Sequence, residues 1–440
     1  MVKAYKAKWI IPSDGNVYED CALVVDEGKV VEIVKQEKVN EETYPLIKDF
    51  GNCVITPGFV NLHNHLQYSF LKDRKRTDLK AKLKKLYTVI KKHYFLTGIS
   101  KKSFIYRLSN LLCEYFCMSK EEKIASFKKG VEQSLLMGTT AVAQLSKESK
   151  YFDVLNEMPL KTYLFFELFS DSVDSSKDEF RAIQKKIDKL KKQKSDNTFV
   201  GVAPHSVCCV HKRLFKILVK YCKKNNILMT IRLGESQDEI DWLKHGFSDV
   251  DLLNEFTGQK KMEPAFENLS PAKYLEELGV LSKQLIVSYG NYLEDSDLEL
   301  LRNNKVALAY CPRVSDNLHN KKLDFEKVLN YFPYRFGFGV NSLAFNKDLS
   351  LLNELKYVNN GRLDAVEALK YLTIIPAKIL RLNNVIGSLE IDKDADFNVF
   401  ELSENEDYKA ILNKTNPIHV YINGKRVVKN SALNLKHLKG

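Results

Sequence analysis

Eight short apolar runs, rich in β-forming residues, alternate with longer amphipathic stretches between residue 54 and about residue 380. The stretches between them, such as "LFKILVKYCKKNN", have the apolar spacing of helices. Eight strands separated by helices are what a (β/α)8 TIM barrel requires, so the sequence predicts an α/β protein of this architecture. In such a barrel, functional side chains lie at the C-terminal ends of the strands. The eight runs cover residues 53–65, 139–146, 161–169, 197–206, 227–236, 283–293, 305–312 and 335–343.

The two ends of the chain differ from this middle part. Residues 1–52 and 385–428 consist of short strand-like runs and turns, for example "CALVVDEGKVVEIV" and "PIHVYINGKRVV". They predict one small β-sandwich domain that is assembled from both termini. The barrel would then occupy residues 53–384, and residues 429–440 would form a polar tail.

The composition allows a large folded core and argues against some classes of protein. Hydrophobic residues make up 44% of the 440 residues. No window approaches the ~20 apolar residues that a membrane helix needs. The N-terminus lacks the apolar run of a signal peptide, so we expect a cytoplasmic protein. Its eight cysteines form no CxxC pair and are expected to be reduced thiols.

The net charge of +12 is carried mostly by lysine. The densest basic runs, 71–94 and 183–196, also place apolar residues at helical spacing. They therefore predict solvated faces of amphipathic helices. Nucleic-acid binding is a weaker hypothesis, because the sequence has no RNA- or DNA-binding motif.

His63 and His65 lie at the end of the first apolar run, in "VNLHNH". On a strand, residues i and i+2 share a face, so both imidazoles can point into the mouth of the barrel. Neutral imidazoles are good ligands for zinc or iron. The pair is therefore half of a candidate metal site.

The chain resembles the amidohydrolase superfamily over nearly its whole length. The resemblance rests on "GFVNLHNH", "LTIIPAKIL", "GSLEIDKDADFNVF" and "VYINGKRVV". Within the superfamily it is most similar to the purine deaminases, and above all to aminodeoxyfutalosine deaminases, through "APHSVCCVH", "RLGES" and "CPRVSDN". The resemblance implies hydrolysis of a C–N bond on a purine-like ring, by water activated on one divalent metal, zinc or iron. It also implies a homodimer.

The resemblance assigns the metal to the two histidines of strand one, a His on strand five, usually a His on strand six, and an Asp on strand eight. His63 and His65 match, but Arg232, Tyr289 and Asn341 occupy the other three positions. Arginine only donates hydrogen bonds, a tyrosinate requires loss of a proton with a pKa near ~10, and an amide cannot act as a base. The expected metal site is therefore incomplete.

The remaining site residues follow from the same resemblance. Glu235 matches the carboxylate that moves protons, and His205 and Ser146 match positions that contact substrate. Arg232 is a further candidate for substrate binding. His319, expected in the loop after strand seven, is the least implausible substitute metal ligand.

Two functions remain open from the sequence. One is an impaired enzyme or ligand-binding pseudoenzyme, in which Arg232 supplies the +1 charge that metal and Asp together carry in the usual site. The other is an active metal-dependent deaminase that uses His63, His65 and Glu235 with an atypical third ligand. A purine-like or an anionic small molecule is the expected ligand.

Overall fold

The computed structural model describes residues 1–72, 104–193, 195, 197–256, 258–319 and 321–434. Residues 73–94 of the predicted basic helix therefore lie outside the described residues. No helix in these ranges is long and apolar enough to cross a membrane.

Eight parallel strands form one sheet in the order in which they occur along the chain. The last strand returns to the first, where the Asn341 N–H donates to the His63 carbonyl (3.0 Å) and the His65 N–H donates to the Asn341 carbonyl (2.5 Å). The predicted (β/α)8 barrel is confirmed. Its strands are β6 Phe59–Asn64, β7 Thr139–Ser146, β8 Lys161–Leu168, β9 Thr198–Pro204, β10 Met229–Leu233, β11 Leu285–Tyr289, β12 Ala307–Tyr310 and β13 Phe336–Phe338.

Helices follow the strands, and many begin at a side-chain cap. Ser119 accepts the backbone N–H of Glu122, whose carboxylate in turn accepts the Ser119 N–H, which satisfies two otherwise unpaired donors. The helices are α1 Phe104–Phe116, α2 Lys120–Leu136, α3 Tyr151–Glu157, α4 Val173–Lys192, α5 Lys212–Asn225, α6 Gln237–His245, α7 Val250–Phe256, α8 Pro271–Glu277, α9 Asp295–Asn303, α10 Pro312–His319, α11 Phe325–Tyr331, α12 Leu351–Asn359, α13 Ala365–Lys370 and α14 Ile374–Ile379. Short 3-10 turns cover Gln36–Lys38, Leu66–Lys72 and Tyr408–Asn413.

Helix α4 confirms the interpretation of the second basic run. Ile183, Ile187 and Leu190 recur at helical spacing and are buried, whereas most of the lysines between them are exposed. The lysines thus form a solvated face.

A separate mixed sheet contains strands from both ends of the chain. The antiparallel pairing of β5 (Cys53–Pro57) with β14 (Phe397–Glu401) joins segments more than 300 residues apart, including Val54 with Phe400. The predicted composite domain is present as this sheet. Its strands are β1 Lys3–Ile10, β2 Tyr18–Asp26, β3 Lys29–Lys35, β4 Leu46–Asp49, β5 Cys53–Pro57, β14 Phe397–Glu401, β15 His419–Ile422, β16 Lys425–Lys429 and β17 Ala432–Leu433.

Two strands replace the single run expected over residues 53–65. The chain leaves the small sheet at Pro57 and enters the barrel at Phe59. Gly58 allows this change, because a Cβ there would lie 2.1 Å from Thr140 Oγ1. The small sheet therefore extends beyond residue 52.

The small sheet also extends into the segment predicted as a polar tail. Strands β16 and β17 form a hairpin across Asn430 and Ser431, which both have positive φ angles (49° and 56°). A two-residue turn of this kind matches the twist of the flanking strands. The segment up to Leu433 is therefore a paired sheet edge.

A buried ion pair connects the two sheets. Lys161, at the start of β8, lies 2.9 Å from carboxylate oxygens of both Asp394 and Asp396 beside the small sheet. Burial disfavours the ammonium ion, but the two carboxylates outweigh this effect and raise the pKa of Lys161. The Lys161 ammonium is therefore charged although it is buried.

We expect Lys161→Met to destabilise the protein by about 3–5 kcal/mol, because it leaves two buried carboxylates without their cation while keeping the side-chain volume. Thermal and urea unfolding measure the effect. The matched control is Lys128→Met, which removes an exposed pair with Glu157 at 3.4 Å and should cost less than about 1 kcal/mol. Equal effects of the two substitutions would contradict the structural role of Lys161.

Candidate active site

A cavity of about 500 Å³ lies at the C-terminal ends of the barrel strands, and we call it the mouth cavity. Its wall on one side is apolar and comes from α1, through residues such as Leu108, Leu112 and Phe116. Its floor is polar. Of the eight residues assigned to the site from the resemblance, all but His63 line the cavity. They are His65, Ser146, His205, Arg232, Glu235, Tyr289 and Asn341.

Arg232 is the centre of this floor. It lies on β10, and its side chain is only 11% exposed. Nη2 donates to His65 Nε2 at 2.8 Å, and Nη1 donates to His205 Nε2 at 2.8 Å. Nη2 also reaches Glu167 Oε1 at 3.3 Å, and Nε lies 3.8 Å from Glu235 Oε2. The guanidinium is thus held between two imidazoles and two carboxylates.

Two carboxylates compensate the charge of Arg232. Burial alone would raise the pKa of Glu167, but Arg232 and a hydrogen bond from His205 hold it well below its usual range. Burial would also raise the pKa of Glu235, but His319 and Arg232 lower it below the ordinary value. Both groups are therefore ionised, and the three charges sum to −1.

The imidazoles of the floor stay neutral. Burial lowers the pKa of His65 to about 4 even though Glu167 opposes the shift. The pKa of His63 lies well below its ordinary value because of burial, His65 and Arg232. Burial and Arg232 also lower the pKa of His205. Neutral rings can accept hydrogen bonds from the guanidinium, as the distances require.

His63 is part of a separate hydrogen-bonded chain. The Asn341 amide donates to the Tyr289 hydroxyl at 2.5 Å, so that hydroxyl donates in turn to His63 Nε2 at 3.2 Å. His63 Nδ1 then carries the proton and donates to Ser288 Oγ at 3.0 Å. Tyr289 and Asn341 both have left-handed backbone (φ 74° and 59°), a strained conformation that is common at functional sites.

Glu235 is positioned by the start of α6. The Glu239 carboxylate accepts the backbone N–H groups of Gly234 (3.0 Å) and Glu235 (3.1 Å), which fixes the turn after β10. His319 approaches from the other side, with Nε2 at 3.6 Å from Glu235 Oε1. His319 is the last residue of α10 and not a loop residue as expected, because that helix begins directly after β12 at Pro312.

His205 and Ser146 both line the cavity. The ring of His205 lies 4.5 Å from the ring of Phe169, and its Nδ1 lies 3.3 Å from Glu167 Oε1. Ser146 Oγ accepts the backbone N–H of Glu148 at 3.0 Å. His205 therefore contributes both an aromatic face and a polar edge to the cavity.

The side chains at the mouth do not fit a divalent metal ion. Within the described residues, no group of three or more His, Cys, Asp or Glu side chains is placed to hold one. The lone pair of His65 Nε2 accepts from Arg232, and that of His63 Nε2 accepts from the Tyr289 hydroxyl. Burial raises the pKa of Tyr289 well above its ordinary value, so this group stays a neutral phenol.

Sequence reasoning missed Glu167. It lies within β8, in "KTYLFFEL", where every residue is buried. A single carboxylate in such a strand needs a buried cation or a polar partner, and this was the signal that the sequence offered. The partner, Arg232, lies 65 positions further along the chain.

Known proteins resemble this chain in sequence and fold. Residues 54–427 match the model of the amidohydrolase family. The aminodeoxyfutalosine deaminase of a Nitratiruptor species is 24% identical, over 94% of this chain and 96% of its own length. A 5-methylthioadenosine/S-adenosylhomocysteine deaminase of Thermococcus kodakarensis is 22% identical, over 82% of this chain and 77% of its own length.

Two solved structures have the same fold. The Helicobacter pylori aminofutalosine deaminase, in complex with methylthio-coformycin, superposes with a TM-score of 0.78 at 21% identity and covers 97% of this chain and 100% of that one. An adenosine deaminase from Xanthomonas campestris with bound zinc has a TM-score of 0.72 at 17% identity, over 98% and 94% of the two chains.

We expect Glu167→Gln to lower the free energy of unfolding at neutral pH by about 3 kcal/mol, because it removes a buried charge that compensates Arg232. Since the folded-state pKa of Glu167 is depressed, its contribution is present above its ordinary value of 4.5 and is lost as the pH falls through the folded-state value. The difference in free energy of unfolding between wild type and variant, measured by urea unfolding, should therefore narrow as the pH is lowered below 4.5.

The control for this prediction is Glu276→Gln, in an exposed pair with Lys273 at 2.7 Å. It should change stability by less than about 1 kcal/mol. A Glu167→Gln variant as stable as wild type would show that the carboxylate does not compensate Arg232.

Proposed function

This chain belongs to the amidohydrolase family, and on that premise we propose that its mouth cavity binds a purine-like nucleoside without metal-dependent deamination. Arg232 takes the electrostatic place of the metal ion in this proposal. The chain is then a ligand-binding member of the family whose hydrolysis is impaired or absent.

The contact between Arg232 and His65 carries the proposal. Nη2 donates to Nε2 at 2.8 Å, and this uses the lone pair with which His65 would coordinate a metal. Glu167 and Glu235 hold the guanidinium there, and the desolvated cluster fixes its position. A metal ion could enter only if Arg232 left two buried carboxylates behind, which is costly.

The other two substituted positions support the same conclusion. A neutral Tyr289 phenol is a weak ligand, and Asn341 directs its amide N–H to that phenol. Neither side chain can take a proton from a water molecule at neutral pH. Glu235 alone remains of the carboxylates that the resemblance assigns to the chemistry.

The cavity suits a purine-like ligand better than an anion. Its volume is within the range of small-molecule sites, and Phe169 with His205 offers an aromatic face on which a base can stack. An anion at Arg232 would have to compete with two carboxylates in a cluster of net charge −1. Relatives named as deaminases of purine-bearing compounds support this choice. A homodimer stays a prediction from the resemblance.

We expect the purified full chain to retain no zinc or iron after dialysis against either ion, because Arg232 and Tyr289 occupy the histidine lone pairs. Plasma mass spectrometry of the protein measures this. One metal per chain that is lost in His63→Ala would overturn the proposal and favour the active deaminase.

The converse variant tests the same reasoning. Arg232→His combined with Tyr289→His and Asn341→Asp restores the ligand types that the resemblance expects. We expect it to take up zinc, with Arg232→Lys as the control that keeps the charge and supplies no imidazole. Circular dichroism establishes that each variant is folded.

We expect 5′-methylthioadenosine to bind the wild-type chain without release of ammonia. Phe169→Ala should weaken binding about tenfold, because base stacking on an aromatic ring is worth about 1–3 kcal/mol. Isothermal titration and an ammonia assay give the two readouts. Phe247→Ala is the control, since Phe247 is exposed and does not line the cavity. Ammonia release that Glu235→Gln abolishes would contradict the proposal.

A further inference from the structure

Two adjacent thiols lie in the wall of the mouth cavity. Cys208 and Cys209 follow β9 and precede α5, and both line the cavity although each is only 3% exposed. All eight cysteines of the chain are free thiols. The other six, all in the described part of the chain, do not line the cavity.

Neighbouring polar groups hold the two thiols in place. The Cys209 thiol donates to Asn254 Oδ1 at 3.3 Å, and the Asn254 amide donates to the Cys208 carbonyl at 3.0 Å. Ser206 Oγ lies 3.2 Å from Cys208 Sγ. One amide side chain thus bridges both cysteines.

We propose that Cys208 and Cys209 are a redox-modification site of the mouth cavity, where a small hydroperoxide converts them into a disulfide between adjacent residues. The oxidation depends only on the two thiols and their access from the cavity. Its effect on ligand binding rests in addition on the proposed function.

The two cysteines have different parts in the reaction. The neighbouring Cys208 thiol lowers the pKa of Cys209, although burial opposes this, whereas the Cys209 thiol and burial raise the pKa of Cys208 well above its ordinary value. The thiolate is the nucleophile in thiol chemistry. Cys209 therefore attacks the peroxide, and Cys208 resolves the product.

The oxidation proceeds in two steps. The Cys209 thiolate attacks one peroxide oxygen, the O–O bond breaks, and a sulfenic acid forms while an alcohol, or water from hydrogen peroxide, leaves after taking up a proton. Cys208 sulfur then attacks the sulfenic sulfur. The S–S bond forms, the S–O bond breaks and water leaves. Two thiols are oxidised, and one hydroperoxide is reduced.

The disulfide between Cys208 and Cys209 should be readily reduced. Adjacent Cα atoms are ~3.8 Å apart, which is shorter than the separation of about 4.4–6.8 Å in ordinary disulfides. A strained disulfide is more readily reduced, and labile disulfides of this kind serve regulation more often than stability. We therefore expect a thiol reductant to restore both cysteines fully.

Oxidation changes the cavity wall. The disulfide removes the S–H group that Cys209 donates to Asn254, and it draws the two sulfur atoms together next to Ser206. Asn254 also lines the cavity, so its amide loses the contact with Cys209 that helps to anchor it. Ligand affinity should fall on oxidation and recover on reduction.

The test uses the folded full chain and hydrogen peroxide as the probe. After treatment, free thiols are alkylated with iodoacetamide and peptides are mapped by mass spectrometry. We expect the peptide with Cys208 and Cys209 to lose two hydrogens and to lose alkylation at both sites, with full recovery after dithiothreitol. Alkylation of both residues after peroxide, or oxidation confined to the more exposed Cys117, would overturn the proposal.

Variants separate the two roles. Cys209→Ser should abolish oxidation at residue 208, whereas Cys208→Ser should leave a sulfenic acid on Cys209 that dimedone traps. Cys117→Ser is the matched control and should oxidise like wild type. If the disulfide forms but 5′-methylthioadenosine binding does not change, Cys208 and Cys209 are a redox-modification site, and the claim that oxidation lowers ligand affinity is wrong.

Discussion

A guanidinium that is buried inside a barrel has to be neutralised where it lies, and the mouth of this barrel is organised around that requirement. Arg232 keeps its charge, so β8 and the turn after β10 each supply a carboxylate. The cation also disfavours protonation of His63, His65 and His205. The rings thus remain hydrogen-bond acceptors. Burial and this one cation therefore act together to keep the imidazoles neutral.

Barrel closure and site geometry depend on the same backbone. Asn341 joins the last strand to the first through its own N–H and C=O groups, which pair with His63 and His65. Its side chain at the same time positions the Tyr289 hydroxyl against His63. The same residue therefore contributes to the seam that closes the sheet and to the floor of the cavity. A substitution at Asn341 acts on both.

The sequence predicted the barrel well because parallel strands that are buried on both faces appear as continuous apolar runs. It did not separate β5 from β6, since both are buried and Gly58 is the only interruption between them. Which sheet each strand joins depends on pairing with residues distant in sequence. Val54 of β5 pairs with Phe400, and Phe59 of β6 pairs with Thr139. The motifs located His63, His65 and Glu235. Glu167 was missed, because its partner is adjacent only in the folded chain.

The composite small sheet also determines the order in which the chain can fold during synthesis. Strands β1 to β5 are synthesised before the barrel, yet β5 pairs with β14, which follows the whole barrel. Pairing across so many residues is slow, because the entropy of closing the loop opposes it until late contacts form. Until β14 has been synthesised, the edge of β5 that pairs with it lacks its partner strand. The last hairpin, β16 and β17, therefore completes the sheet only after the whole barrel has been synthesised.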